Sequence, residues 1–196
     1  MMESLLPLAV FAFVSSITPG PNNVMLTSSG LRFGFARSIP HMLGVTVGFG
    51  ALLALCAIGI GSLVIAMPAI TMALKTAGSI YLLYLAWQLR DIAYRPQEAH
   101  AKPMSFFGAA LFQFANPKAW VMAVTGASAF LPAVQPTGFA VVLFCLVFCA
   151  VNLPCIALWA GGGAAMRRYL DNPFWQRSFC LAMMAFTVYA AAAIWQ

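Results

Sequence analysis

Charge is absent from long stretches of this chain, and the lengths of those stretches limit what it can fold into. Residues 4–31, between Glu3 and Arg32, contain no Asp, Glu, Lys or Arg, and neither do the 48 residues between Lys118 and Arg167. As one helix the second stretch would extend about 72 Å, more than twice the roughly 30 Å hydrocarbon thickness of a bilayer. It reads instead as two crossings joined by a turn, with Leu131-Pro132-Ala133-Val134-Gln135-Pro136-Thr137-Gly138 supplying the turn residues. Composition agrees: 63% of residues are hydrophobic and 7% charged, where a soluble domain carries about 25% charged residues. Fourteen charges cannot cover a soluble 21.0 kDa surface, but a surface facing lipid does not need them.

Divided at its charges and turn residues, the chain is expected to be an all-α integral membrane protein with six transmembrane helices. The spans fall near 4–27, 42–66, 69–88, 105–130, 139–162 and 178–195, within a single membrane domain covering 1–196. The polar segment from Arg90 to Pro103 separates a first half, 1–98, from a second, 99–196. Eight of the ten basic residues lie in the connections between spans one and two, three and four, and five and six. The positive-inside rule makes those connections cytoplasmic and places both termini outside. Lys75 falls near the outer end of span three, where its stem can snorkel. The net charge of +6 therefore reads as membrane orientation, with no nucleic-acid partner. Met1-Met2-Glu3 lacks a basic n-region and reads as the start of span one, not as a removable signal peptide.

Two spans carry breaks. Span one contains Thr18-Pro19-Gly20-Pro21-Asn22-Asn23, and span four contains Asn116-Pro117-Lys118. Proline removes a backbone donor and clashes with the preceding turn, so neither segment continues a regular helix. Lipid cannot satisfy the freed backbone groups, and such breaks persist where protein or a water-lined cavity covers them. Each break lies in the first span of a three-span half. Because three is odd, the halves enter the membrane from opposite sides, which is the geometry of a 3+3 inverted repeat with its binding site at paired broken helices. The alternative, that prolines only kink helices for packing, suits Pro154 beside Asn152 in span five better than the span-one cluster. Lys118 falls about midway along span four, where a charge costs roughly 2.5–3.5 kcal/mol on insertion scales. It is either a cation facing the bundle interior, available to an anionic substrate group, or a lysine that snorkels to an interface.

The remaining features have plainer readings. Gly44 and Gly48 form a GxxxG in span two, with Gly50, Gly59 and Gly61 nearby; small residues allow close helix packing, within the chain or in a homodimer. His41 reads as an interfacial histidine ahead of a proton relay. Cys56, Cys145, Cys149, Cys155 and Cys180 have no CxxC spacing and no histidine nearby, and read as small packing residues with no metal. The five tryptophans suit interfacial anchoring or packing. No cofactor motif is present, and no catalytic residue is proposed.

The motifs together carry a resemblance. Thr18-Pro19-Gly20-Pro21-Asn22-Asn23, followed by Gly34-Phe35 and by Gly44 with Gly48-Phe49, resembles the N-terminal signature of the LysE/RhtB family of amino-acid exporters. Gly78-Ser79-Ile80-Tyr81-Leu82 and Asn116-Pro117-Lys118-Ala119 resemble further family motifs in the same order, so the likeness covers essentially the whole chain. The double asparagine and the length look most like the cysteine/O-acetylserine exporter branch. The resemblance implies efflux of amino acids or close derivatives across a bacterial cytoplasmic (inner) membrane, driven by the proton gradient. It carries the substrate site to Pro19, Gly20, Pro21, Asn22, Asn23, Asn116, Pro117 and Lys118.

Beside the resemblance stands a physical expectation. A zwitterion needs donors for its carboxylate and acceptors for its ammonium. Half-helix N-termini and Lys118 suit the first; proline-released carbonyls and Asn oxygens suit the second. No Asp or Glu lies inside an expected span, which disfavours lysine or arginine as substrate and favours small neutral amino acids of the cysteine/O-acetylserine or threonine/homoserine type. If a side chain couples protons, Lys118 is the candidate, since burial readily shifts a lysine pKa. A membrane-embedded enzyme would need a nucleophile–base pair, a metal set or paired carboxylates in the spans, and none is found. A passive channel for small solutes is the other competing class.

Overall fold

The computed structural model describes residues 5–59, 102–131, 138–169 and 172–193, together with scattered positions between 67 and 87. Half of expected span three, most of the central polar connection and the 132–137 turn lie outside the described residues. Among the described residues seven α-helices can be delimited, in order: α1 (Leu5–Ile17), α2 (Pro21–Phe33), α3 (Phe35–Ala57), α4 (Phe106–Ala115), α5 (Pro117–Phe130), α6 (Gly138–Met166) and α7 (Pro173–Ala193). A 3₁₀ turn at Arg167–Tyr169 separates the last two. By length and composition α3 and α6 can each cross a membrane, and α1 with α2 makes a third, bent by 59° at the break between them. Apart from turns, every element among the described residues is helical, as expected of a helical membrane protein.

The element boundaries follow local chemistry that hydropathy does not register. α2 starts with Pro21 at its first turn, where the missing N–H is not needed. It runs on to Phe33, past the expected end of span one near 27, and α3 begins at Phe35 instead of near 42. One residue, Gly34, makes the whole connection. Its φ of 83° lies in the left-handed region that favours glycine, and its N–H closes α2 on Gly30 O at 2.8 Å. Arg32 and Arg37 therefore sit in helical turns flanking a single glycine, not in an extended loop. At the other end α3 stops at Ala57, with a turn at Ile58 and Gly59. α6 runs to Met166, and α7 starts at Pro173, ahead of the expected 178.

The second break is built like the first. Asn116 is extended (φ −91°, ψ 106°), as a residue before proline prefers, and its Oδ1 accepts the backbone N–H of Lys118 at 3.1 Å. Pro117 then opens α5 as Pro21 opens α2. By contrast α6 passes through Pro154 and α3 through Pro40 without ending. These two prolines lie within continuous helices.

Packing places the breaks at the centre. One apolar cluster joins Leu8 and Ala12 of α1, Phe49, Leu52 and Leu53 of α3, Ala119 to Ala127 of α5, and Phe144 and Phe148 of α6. Phe148 is fully buried at its hub, edge-on to Phe49 at 5.2 Å and to Phe11 at 6.0 Å. A second cluster joins Leu26 of α2, Met42 and Val45 of α3, Ala109 of α4, and Ile156 and Ala160 of α6. The clusters divide α3 between Val45 and Phe49 and α6 between Phe148 and Ile156, about midway along both. The polar break residues occupy the level between them.

α2 is buried on almost every face, from Pro21 to Leu31, although it carries two asparagines, a threonine and two serines. It packs on α6 at backbone distance. A Cβ on Gly30 would fall 1.9 Å from Ala160 O, and one on Gly163 2.1 Å from Thr27 O. Gly44 and Gly48 play the same part between α3 and α4, against Phe106 O and the backbone of Ala110. The GxxxG face is thus used within the chain. On the outside, Leu6, Val10, Phe13 and Val14 of α1 and Val142, Leu146 and Leu158 of α6 are exposed, as suits helices facing lipid.

Candidate functional site

α1 ends where Pro19 and Pro21 forbid continuation, leaving carbonyls that need donors. Each finds one. Val14 O accepts Thr18 N–H, and Ser15 O accepts the Thr18 hydroxyl at 3.0 Å. Ser16 O accepts Asn23 Nδ2 at 2.9 Å, and Ile17 O accepts the Trp159 indole N–H from α6 at 3.1 Å. Thr18 O accepts Asn23 Nδ2 at 2.7 Å and the Lys118 ammonium at 2.8 Å. Pro19 O accepts the same ammonium at 3.2 Å, and Thr18 Oγ1 does so at 2.9 Å.

Lys118 therefore reaches from the break in the second half onto the C-terminal end of α1. It is partly buried and has no carboxylate beside it among the described residues of the site; carbonyls and the negative end of the α1 dipole balance its charge. The fit is close. A Cβ on Gly20 would meet Lys118 Cδ at 2.7 Å and Nζ at 3.0 Å, so glycine stands here to make room for the lysine.

A second bridge joins the two breaks. Asn22 Nδ2 donates to Gln113 Oε1 at 2.8 Å, and Gln113 Nε2 returns a bond to Asn22 Oδ1 at 3.0 Å. Gln113 also donates to Ala109 O of its own helix, at 2.9 Å, and is fully buried. A double-mutant cycle on Asn22→Ala and Gln113→Ala should find the pair strongly coupled. In an apolar interior each single substitution strands a buried amide, at about 1–3 kcal/mol. The double variant is expected to lose much less thermal stability in detergent than the two single losses combined; simple additivity would mean the pair is not a unit.

Gly20, Pro21, Asn22, Asn23, Asn116 and Lys118 line one cavity, together with Ser15 and Ser16 of α1, Phe49 of α3, Ala119 and Met122 of α5, and Asn152 and Ile156 of α6. Of the expected site residues, Pro19 contributes a carbonyl from behind this wall, and Pro117 is buried at the first turn of α5. Neither lines the space. The free volume is about 20 Å³, room to centre roughly one water molecule. Anything larger requires Lys118 to swing away or the helices to part.

The two half-helix N-termini differ. Asn116 caps α5, whereas no side chain caps α2, whose first residues Pro21, Asn22 and Asn23 line the cavity. Gln113 and Ser16 were not singled out from the sequence, and Thr18, Asn152 and Trp159 were given no site role there. The available signal was faint: Gln113 and Asn152 are isolated amides in otherwise apolar runs.

Residues 13–193 match the LysE type translocator family. The cysteine/O-acetylserine efflux protein of Escherichia coli (strain K12) is 32% identical over 189 residues, covering 94% of this chain and 93% of the relative. The protein of that name from Salmonella typhimurium (strain LT2) is 30% identical over 188 residues, with the same coverage. No solved structure matches the chain. The chain belongs to the LysE type translocator family, and is a transporter and not an enzyme.

Proposed function

We propose that this protein is a secondary transporter that exports small neutral amino acids or their derivatives, of the cysteine/O-acetylserine or threonine/homoserine type, across a bacterial cytoplasmic membrane. The observation that carries the reading is the Lys118 ammonium held on the carbonyls of the opposite break. It stands with the uncapped N-terminus of α2 on a small cavity midway along two long helices. A substrate carboxylate would meet the lysine and the uncapped first turn of α2 there, while no carboxylate among the described residues lines the cavity to take a second cation. The names of the relatives support the substrate class.

Six spans in a 3+3 inverted repeat remain the architecture we favour. The matched construction of Gly20-Pro21 and Asn116-Pro117, each an extended residue followed by proline at a helix start, supports it. The basic connections would then be cytoplasmic. Export driven by inward proton flow, with Lys118 as the coupling side chain, completes the proposal.

The test is to compare extracellular amino acids of a bacterium with and without overexpression, alongside resistance to toxic analogues. A small neutral amino acid or derivative is expected to rise outside the cells, with lysine and arginine unchanged. An unchanged extracellular pool and unchanged resistance would overturn the reading.

A further inference from the structure

We infer that Asn152 of α6 supplies the acceptor for the substrate's ammonium group, and so selects amino acids over acids that lack the amine. This rests on the amino-acid substrate proposed above. Asn152 lies at the middle of α6, is only 5% exposed, and lines the cavity opposite the broken span. Its Nδ2 donates to Ser16 Oγ at 3.0 Å, which fixes the amide plane. Its Oδ1 is the one buried side-chain oxygen among the described residues without a hydrogen-bond partner.

Several other acceptors at this level are engaged by the protein itself. Asn22 Oδ1 is taken by Gln113, Asn116 Oδ1 by the Lys118 backbone, and the Thr18 and Pro19 carbonyls by Lys118. A buried acceptor left unpaired destabilises the empty protein and gains most when a donor arrives with a ligand. An ammonium brings three donors, and a neutral amide oxygen accepts one without requiring a second cation on the substrate. With the carboxylate at the α2 N-terminus across the cavity, the two ends of an α-amino acid meet complementary groups. Phe49, Met122 and Ile156 bound the remaining space and favour a small side chain.

The experiment measures inhibition of radiolabelled O-acetyl-L-serine uptake into proteoliposomes by two competitors: unlabelled O-acetyl-L-serine, and 3-acetoxypropanoate, the same molecule without its amine. In the wild type the amine-bearing competitor is expected to be at least tenfold the better. In Asn152→Leu the ratio should fall to within about twofold. In Asn152→Asp, which keeps an acceptor at that position, it should match or exceed the wild type. An unchanged ratio in Asn152→Leu would mean that Oδ1 serves water or packing, and overturns the inference while leaving the exporter reading intact. If the leucine variant fails to reach the membrane, a ratio near one in Asn152→Asp overturns it equally. No uptake or binding of O-acetyl-L-serine by the wild type would remove this inference along with the choice of substrate class.

Discussion

Lys118→Met is expected to reduce export to the level of cells lacking the transporter, although the methionine stem fills nearly the same space. The substitution removes the bridge from α5 to the end of α1, leaving Pro19 O without its donor and Thr18 O with Asn23 alone. It also removes the positive charge that faces the uncapped start of α2. Hydrogen bonds to a charged group contribute about 1.5–3 kcal/mol each, so losing them shifts any equilibrium between conformations that make and break the bridge by factors of ten or more. Protein abundance in the membrane, read by immunoblot, separates lost function from lost folding. Near-normal abundance with no pH-dependent export in vesicles is the expected pair of results. Transport and coupling at wild-type levels would show that the lysine is merely accommodated. Gly20→Ala should act in the same direction more weakly, because its methyl group displaces the flexible lysine stem and not backbone.

The second large effect concerns folding. Gly30→Val and Gly163→Val each place a branched side chain where a Cβ alone would lie 1.9 or 2.1 Å from a carbonyl oxygen of the facing helix. Backbone atoms cannot move aside as a side-chain tip does, so α2 and α6 must separate. That separation dismantles contacts involving Leu26, Ile156 and Ala160, all fully or almost fully buried. Overpacking costs about 1–3 kcal/mol when side chains can adjust and more when backbones must part. Little protein of either variant should accumulate in membranes. Gly162→Val is the control: a Cβ there meets nothing within 4 Å, so abundance and export should match the wild type. Equal abundance of all three variants would mean that the α2–α6 contact is looser than described.

Local chemistry is visible in a single chain, and packing between distant segments is not. The breaks were legible because Pro19, Pro21 and Pro117 act locally: each removes a donor within its own helix, whatever surrounds it. Lys118 was legible because charge is so scarce here that one lysine in an apolar run stands out. Its target was not. Nothing in the sequence says that its ammonium rests on Thr18 and Pro19, 100 and 99 residues away; that is too far for any local rule, and the pairing exists only once α1 and α5 are packed.

The proline-released carbonyls, expected to receive a substrate ammonium, are shared between Lys118, Asn23 and Trp159 instead. The site roles of Gln113 and Asn152 escaped notice for a related reason. A single amide in a helix is ambiguous until its partner is known, and both partners lie on the opposite broken span. The extent of α2 was misjudged because hydropathy falls across Thr27-Ser28-Ser29 while burial does not: α2 is enclosed by protein, and its end is set by the backbone of Gly34.

Purified protein in liposomes with an acidic interior, in medium containing radiolabelled O-acetyl-L-serine, offers the most direct test of coupled export through this site. Molecules inserted inside-out should accumulate the compound above its external concentration as protons leave, and a protonophore should abolish the excess. Uptake that only reaches the external concentration, with or without the pH gradient, would contradict coupled export and identify a passive channel.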